Sequence, residues 1–219
     1  MAILVKICGI GSAEAADAAM RAGADFAGLL FHPHSPRNLD IAQAAALAER
    51  MRGRVRLVAV LRDPSDEQLA AVIANVAPDF VQLHGSETPA RAAAIRSRFG
   101  IGLIRAIAIA EQADLAGVAS YEDCADMLLF DAKAPAGAVR EGGHGAVFDW
   151  QILRGRKFAR PWLLAGGLTP DNVARAIATG GAPGVDVSSG VETAPGVKSA
   201  ERIEAFVRAA RGASVGAAA

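Results

Sequence analysis

Eight short apolar segments recur along the chain, and an alanine-rich stretch with helical spacing follows each one. Within a segment the hydrophobic residues are continuous and do not alternate with polar ones. Such runs are typical of strands covered on both faces, as in a parallel sheet packed against helices. The predicted strands are Ile3–Cys8, Phe26–Phe31, Val55–Leu61, Phe80–His84, Ile101–Ile109, Met127–Asp131, Trp162–Ala165 and Val185–Ser188.

Start and stop signals mark several of the predicted helices. Ser12 precedes an alanine-rich stretch to Arg21 and Gly23 follows it, which matches an N-cap and a C-terminal glycine. The other signals are a capping-box pattern or a proline in the first turn. The helices so marked are Leu69–Val76 after Ser65 and Gln68 and before Pro78, Ala90–Arg98 after Thr88-Pro89, and Asp171–Ala178 after Thr169-Pro170. A last helix, Ser199–Arg211, is predicted before a frayed tail at 212–219.

Eight strand and helix pairs within 219 residues predict a (β/α)₈ TIM barrel that occupies residues 1–219 as one domain. A doubly wound open sheet shares the same alternation and is the rival fold. The barrel is favoured because the count is eight and because polar residues recur where strands end. In a barrel these strand ends meet at one face, where active sites lie. The residues concerned are Cys8, His84, Asp131, the pair Gly166-Gly167 and the pair Ser188-Ser189.

Composition excludes several classes of protein. The hydrophobic fraction of 52% excludes a disordered chain, and no apolar run reaches the roughly 20 residues that span a bilayer. Lys and Arg number 23 and are balanced by 23 Asp and Glu, so we expect no nucleic-acid partner. Two cysteines and an N-terminus without a secretory pattern predict a cytoplasmic protein.

Cys8 ends the first predicted strand, within Lys6-Ile7-Cys8-Gly9-Ile10. A free cysteine is often a small buried hydrophobe, but a strand end followed by glycine belongs to a barrel mouth. To act as a base, cysteine needs cations or hydrogen bonds that lower its thiol pKa from about 8.5. Lys6 lies two residues earlier on the same side of the strand. The pattern makes Cys8 a candidate base, with Lys6 as a source of positive field.

Asp131 ends the apolar run of the sixth predicted strand. A carboxylate there must be paired, hydrated or catalytic, because burying a lone charge costs free energy. An ion pair with Lys133 or a helix cap is the structural alternative, whereas partial desolvation favours a general acid that holds its proton. Lys133 also suggests a Schiff-base aldolase. This alternative is the weaker one, because the sequence does not place Lys133 inside the barrel.

Glycine-bearing loops follow the last two predicted strands. The first contains Gly166 and Gly167, and the second runs from Asp186 through Ser188, Ser189 and Gly190 to Glu192. Glycine lets backbone N–H groups approach an anion, and barrels often bind phosphate with the loops after strands seven and eight. A single Gly-Gly pair is often only a turn. The two loops together predict a phosphate site.

Three further observations concern side chains at the predicted mouth. Arg37 follows the second strand, where an arginine is either a solvated surface charge or forks onto a carboxylate. His84 ends the fourth strand, and a structural contact and a catalytic role are equally open for it. His32, His34 and His144 show no spacing typical of metal ligands, so no metal is predicted.

The ordered set of motifs resembles the phosphoribosylanthranilate isomerase family over about residues 3–210. No one motif is decisive, but the order of all of them is specific. The resembling segments are Lys6–Ile10, Ser35–Arg37, Val81–Gly85, Phe130–Lys133, Phe148–Trp150, Leu164–Val173 and Val185–Glu192.

The resemblance implies a (β/α)₈ barrel that catalyses the Amadori rearrangement of N-(5-phosphoribosyl)anthranilate without a cofactor. It makes Asp131 the general acid that opens the furanose ring and Cys8 the general base that removes the proton from C2. It places Arg37 on the anthranilate carboxylate and the two glycine loops around the phosphate. The candidate substrate-binding residues are Arg37, His84, Gly166, Gly167, Asp186, Ser188, Ser189 and Gly190.

One segment departs from the family pattern. Many members carry a Gly-Ser/Thr-Gly-Lys-type loop before Phe148, whereas this chain has Glu141-Gly142-Gly143-His144-Gly145-Ala146-Val147 and loses any contact from the lysine. The alternatives are a pentose-phosphate epimerase, for which metal-binding His and Asp pairs are missing, an aldolase, or a barrel that only binds phosphorylated ligands. The expected partner is a small phosphosugar-anthranilate substrate, bound by a monomer or a homodimer.

Overall fold

The computed structural model describes residues 2–133 and 148–213. Eight parallel strands close into a barrel in which the last strand is hydrogen-bonded to the first. This confirms the predicted (β/α)₈ barrel and excludes the doubly wound sheet, and every strand end lies within one residue of its predicted position. The strands are β1 Leu4–Cys8, β2 Phe26–Phe31, β3 Arg56–Leu61, β4 Phe80–Leu83, β5 Gly102–Ile109, β6 Met127–Ala132, β7 Trp162–Leu164 and β8 Gly184–Val187.

Helices surround the barrel, although their lengths are unequal. After β5 the chain forms a 3₁₀ helix, Gln112–Gly117, and a single helical turn, and before β7 the described helical segment is the 3₁₀ helix Trp150–Leu153. A hairpin of β9 Glu192–Ala194 and β10 Val197–Lys198 follows β8. The α-helices of the described residues are α1 Ala13–Ala22, α2 Ile41–Met51, α3 Asp66–Val76, α4 Pro89–Phe99, α5 Ala119–Glu122, α6 Val173–Gly180 and α7 Ala200–Gly212. None of them is long and apolar enough to cross a bilayer.

Side-chain caps begin the helices where the sequence predicted them. The backbone N–H of Ala15 donates to Ser12 Oγ at 3.2 Å, and Gly23 closes α1 with φ of 77°. Thr88 caps α4, whose first residue is proline, and Ser65 and Ser199 cap α3 and α7. A full capping box, which the sequence analysis missed, joins Asp40 to Gln43 at the start of α2.

The predicted start of the helix after β7 was wrong. The helix α6 begins at Val173, and Thr169 and Pro170 lie in the turn before it. Asn172 Oδ1 accepts from the backbone N–H of Thr169 at 2.8 Å, while its Nδ2 donates to the carbonyl of Gly167 at 2.9 Å. The asparagine therefore braces the loop that leads away from β7.

The barrel interior is apolar except near its carboxyl-terminal end. Its apolar lining comes from inward-facing residues of the strands, among them Phe26, Val58, Leu129 and Leu163. Four polar side chains are also buried in the barrel strands, namely Lys6, Gln82, Arg105 and Asp186. Since a buried charge is costly without a partner, these positions point to the site above them.

Candidate active site

The carboxyl-terminal ends of the strands open into a cavity of about 590 Å³. The structure brings together there every side chain and loop glycine that the sequence analysis nominated from distant parts of the chain. The nominated residues that line the cavity are Cys8, Arg37, His84, Asp131, Gly166, Gly167, Asp186, Ser188, Ser189 and Gly190.

Cys8 lies at the end of β1 with 8% of its surface exposed. A side chain at Gly28 on β2 would have its Cβ 3.0 Å from Cys8 Sγ, so the glycine leaves room for the thiol. Burial raises the pKa of Cys8, and the nearby ammonium of Lys6 offsets only part of this increase. Lys6 supplies the positive field that the sequence analysis expected, but in the free protein the effect of burial outweighs it.

Lys6 and Asp186 form an ion pair between β1 and β8. Lys6 Nζ donates to Asp186 Oδ1 at 2.8 Å, and the lysine side chain is completely buried. Burial lowers the pKa of Lys6, but Asp186 and Cys8 more than compensate and the net shift is upward. The ammonium stays charged next to Cys8, as period-two spacing predicted. Asp186, nominated as a substrate ligand, shares one carboxylate oxygen with this lysine.

Asp131 faces His84 across the cavity. His84 Nε2 lies 3.3 Å from Asp131 Oδ2, and the backbone N–H of Ala132 donates to Asp131 Oδ1 at 2.9 Å. On its other side His84 Nδ1 lies 2.8 Å from Gln82 Nε2. An amide N–H donated to Nδ1 leaves the imidazole proton on Nε2, pointed at the carboxyl group. His84 thus holds Asp131 in position from the end of β4.

Lys133 lines the cavity, but it pairs with Asp114 and not with Asp131. Its Nζ lies 3.4 Å from Asp114 Oδ1, and its side chain is 56% exposed. Among residues 2–133 and 148–213, the ion pair of Asp131 is with His84. An exposed, paired ammonium is poorly suited to form a Schiff base, which needs a desolvated neutral amine.

Arg37, Glu192 and Lys198 form a second buried network at the mouth. The Arg37 fork donates from Nε and Nη2 to the two carboxylate oxygens of Glu192, at 2.6 and 2.7 Å. Lys198 Nζ lies 2.6 Å from Glu192 Oε1 and 3.0 Å from the carbonyl of Ser188. The fork thus faces a carboxylate of the protein, and the Nη1 edge of Arg37 lies outside this pair.

The sequence analysis assigned no role to Glu192 and did not identify Lys198. Glu192 ends the predicted phosphate loop that begins at Asp186, so a carboxylate at that position could have been identified as a candidate. Lys198 lies in β10 of a short hairpin, where a lysine looks like an ordinary surface residue. Only the fold shows that it is buried.

The two glycine loops are in direct contact. Gly166 has φ of 87°, and a Cβ there would lie 2.6 Å from the Cβ of Ala132 at the end of β6. A Cβ at Gly190 would lie 1.8 Å from the carbonyl oxygen of Leu168. Both positions need glycine because backbone passes where a side chain would stand. The loops after β7 and β8 therefore form one continuous edge of the cavity.

Metal ligation finds no support in the part of the chain that the structure describes. Within residues 2–133 and 148–213, no group of three or more His, Cys, Asp or Glu side chains could hold a metal ion. His32 and His34 contact each other, with ring centroids 5.6 Å apart. His144 and the segment 141–147 lie outside the described residues.

Comparison with known proteins gives a consistent result. The family model "N-(5'phosphoribosyl)anthranilate (PRA) isomerase" matches residues 5–209. An N-(5'-phosphoribosyl)anthranilate isomerase of Paramagnetospirillum magneticum is 50% identical over 212 residues, which cover 97% of this chain and 99% of that protein. One from Rhodopseudomonas palustris is 51% identical over 211 residues, covering 96% of this chain and 97% of that protein.

Solved structures agree with these relatives. The crystal structure of phosphoribosyl anthranilate isomerase from Thermotoga maritima superposes with a TM-score of 0.85 at 34% identity, covering 96% of this chain and 99% of that one. A crystal structure of phosphoribosyl anthranilate isomerase in complex with reduced 1-(o-carboxyphenylamino)-1-deoxyribulose 5-phosphate has a TM-score of 0.83 at 33% identity, covering 96% of this chain and 99% of that one. The chain therefore belongs to the N-(5'-phosphoribosyl)anthranilate isomerase family, TIM-barrel isomerases of tryptophan biosynthesis.

Proposed function

We propose that this isomerase converts N-(5-phosphoribosyl)anthranilate to 1-(2-carboxyphenylamino)-1-deoxyribulose 5-phosphate with Asp131 as general acid and Cys8 as general base. The observation that carries the assignment is the placement of both proton-transfer groups in one cavity, at the ends of β6 and β1. The same cavity holds an arginine and two contacting glycine loops, which suit a substrate with a carboxylate and a phosphate.

The first step opens the sugar ring. Asp131 gives its proton to the furanose ring oxygen as the C1–O bond breaks, and the nitrogen lone pair forms an iminium with C1. The resulting Asp131 carboxylate lies 3.3 Å from His84 Nε2. An N–H at that nitrogen stabilises the new negative charge, so His84 supports the acid in the state that follows proton transfer.

The second step moves the double bond. Cys8 as thiolate removes the proton from C2, and the electrons of that C–H bond form C1=C2 while the iminium nitrogen regains its lone pair. The enolamine then gains a proton at C1 and loses one from the C2 hydroxyl to become the ketone. C2 is oxidised and C1 is reduced by the same amount, so the reaction balances without an external electron carrier.

The two ends of the substrate meet different parts of the cavity. The loops at Gly166-Gly167 and Ser188-Ser189-Gly190 follow β7 and β8, the usual phosphate position in barrels. The remaining edge of Arg37 receives the anthranilate carboxylate, since the rest of its fork is occupied by Glu192. Binding of both anions fixes C1 and C2 between the acid and the base.

Turnover of fluorescent phosphoribosylanthranilate, with no cofactor added, tests the assignment. Asp131→Asn should lower kcat by about 10²- to 10⁴-fold, the range expected on losing a positioned acid. Cys8→Ser should remove most turnover while affinity for the reduced product analogue stays within a few-fold, because a serine hydroxyl is too weakly acidic to act as the base. Cys124→Ser is the matched control, since that thiol lies between α5 and β6. Near-wild-type kcat in Cys8→Ser would refute the role of the thiolate.

Oligomeric state and location are also proposals. A Thermotoga maritima relative is described as dimeric in a study of monomers generated from it. We infer a monomer or homodimer for this chain, in the cytoplasm as its composition predicts. Light scattering on the purified protein decides between one and two copies.

A further inference from the structure

Five buried charged side chains lie in two networks near Cys8. They belong to the two networks described above, and no side chain among them is more than 11% exposed. Three of them are cations and two are anions. Asp186 is paired with one cation, whereas Glu192 is shared by two. The five are Lys6, Asp186, Arg37, Glu192 and Lys198.

The surplus cation lies beside the base. The pairing of β1 with β8 sets Ile7 opposite Val187, which brings Cys8 alongside Ser188. Lys198 Nζ lies 3.0 Å from the carbonyl and 3.2 Å from Oγ of Ser188. That hydroxyl would lie 3.2 Å from a Cβ built on Gly9, the residue after Cys8. Lys198 therefore contacts Ser188, the residue that lies alongside Cys8.

We infer that Lys198 is a positioning residue of the isomerase, whose buried ammonium supplies the uncompensated positive charge that stabilises the Cys8 thiolate. Arg37 already satisfies both oxygens of Glu192, and Lys6 is balanced by Asp186. The five side chains, called the buried wall below, are therefore one anion short. Loss of the Cys8 proton provides that anion and neutralises the set. The inference rests on the proposed role of Cys8 as base.

The electrostatics of the wall agree with this geometry. Burial raises the pKa of Cys8 and Asp186 raises it further, while Lys6 and Lys198 lower it. Burial lowers the pKa of Lys198 and Arg37 lowers it further, while Glu192 and Cys8 offset only part of this decrease. An ionised Cys8 thus favours the charged lysine, just as the ammonium favours the thiolate. Charges interact strongly where water is excluded. Asp131, paired with His84, faces Cys8 from β6 on the other side of the cavity.

Direct titration of the thiol tests the inference without relying on turnover. In a Cys124→Ser background Cys8 is the remaining cysteine of the chain, and thiolate ultraviolet absorbance, taken as a difference from the Cys8→Ser protein, reports its ionisation. Lys198→Met should raise the midpoint by about one pH unit, the lower end of the effect of a nearby opposite charge. The kcat/KM below the midpoint should fall about tenfold and recover as pH rises.

Three further variants separate charge from architecture. Lys198→Arg keeps the positive charge and should restore the midpoint. Glu192→Gln removes an anion and should move the midpoint down, a change of sign that a merely structural role would not produce. It also keeps the inference testable if Lys198→Met does not fold. Lys157→Met is the control, because Lys157 is exposed on the surface.

An unchanged midpoint in folded Lys198→Met, or an unchanged or higher one in Glu192→Gln, would overturn the inference. Failure of the proposed function would look different, because Cys8→Ser would then keep its turnover whatever the titrations show. Shifted midpoints combined with an inactive Cys8→Ser protein support both.

Discussion

Replacement of Gly190 by alanine offers a sharp test of the phosphate-binding edge. The glycine lies in the loop after β8, and its backbone lies against the loop after β7. A methyl group at this position would stand 1.8 Å from the carbonyl oxygen of Leu168 and 2.9 Å from its carbonyl carbon. Both are backbone atoms, so the clash cannot be relieved by turning a side chain.

The required displacement can be worked out from these distances. Contacts of a Cβ with another heavy atom essentially never fall below 3.0 Å, so the two loops must part by about 1.2 Å at least. A misplacement of about 1 Å at a catalytic site can cost about 10²-fold in rate. Overpacking also costs about 1–3 kcal/mol of folding free energy. We expect a folded Gly190→Ala protein in which kcat/KM is about 10²-fold lower, mainly through a higher KM.

The assay is turnover of phosphoribosylanthranilate together with inhibition by inorganic phosphate, which reports the same edge without the rest of the substrate. The inhibition constant for phosphate should rise along with KM. Gly212→Ala is the control, since nothing lies within 4 Å of the Cβ position there. If Gly190→Ala keeps both its KM and its phosphate inhibition within twofold of the parent, the loops do not form the phosphate site.

Three more outcomes follow from the buried charges. Lys6→Met should lower the free energy of unfolding by about 3–5 kcal/mol in urea titrations, because Asp186 would be buried without its cation; a loss below 1 kcal/mol would contradict this. Arg37→Ala should raise KM more than it lowers kcat, since the ring carboxylate is bound in ground and transition states alike, and an unchanged KM would remove Arg37 from the substrate. Because burial raises the pKa of Cys8, kcat/KM of the free enzyme should still be rising above the ordinary thiol value of about 8.5, and a plateau already reached at neutral pH would refute this.

The barrel could be predicted closely because its strands carry an unambiguous local signal. Continuous apolar runs such as Met127–Phe130 are buried on both faces, and polar or turn residues stop them abruptly. The helix after β7 was harder to predict, because Asn172 uses its side chain to brace the loop and delays the helix by two residues. Local propensity cannot reveal a bond that exists only after the loop has folded.

The site was predictable to the extent that topology determines it. Closing a barrel brings all strand ends to one face, so Cys8 and Asp131 had to share a mouth. Partner choice was not predictable, because Lys6 and Asp186 are 180 residues apart and Arg37 and Glu192 are 155 apart. No local spacing encodes such pairs. The burial of Lys198 against Ser188, in the loop after β8, could not be predicted either, because it also depends on the folded loop.

The two proton-transfer groups have different surroundings. Asp131 is partly exposed and supported by His84, whereas Cys8 is buried and burial raises its pKa. A thiolate that is disfavoured in the empty cavity gains a partner once Asp131 has opened the ring, since the iminium places a new positive charge next to C2. The cations of the buried wall reduce what the iminium must still supply. We therefore expect ring opening to precede activation of the base, so that the Cys8 thiol gives its proton to solvent only after the iminium has made the C2 proton acidic.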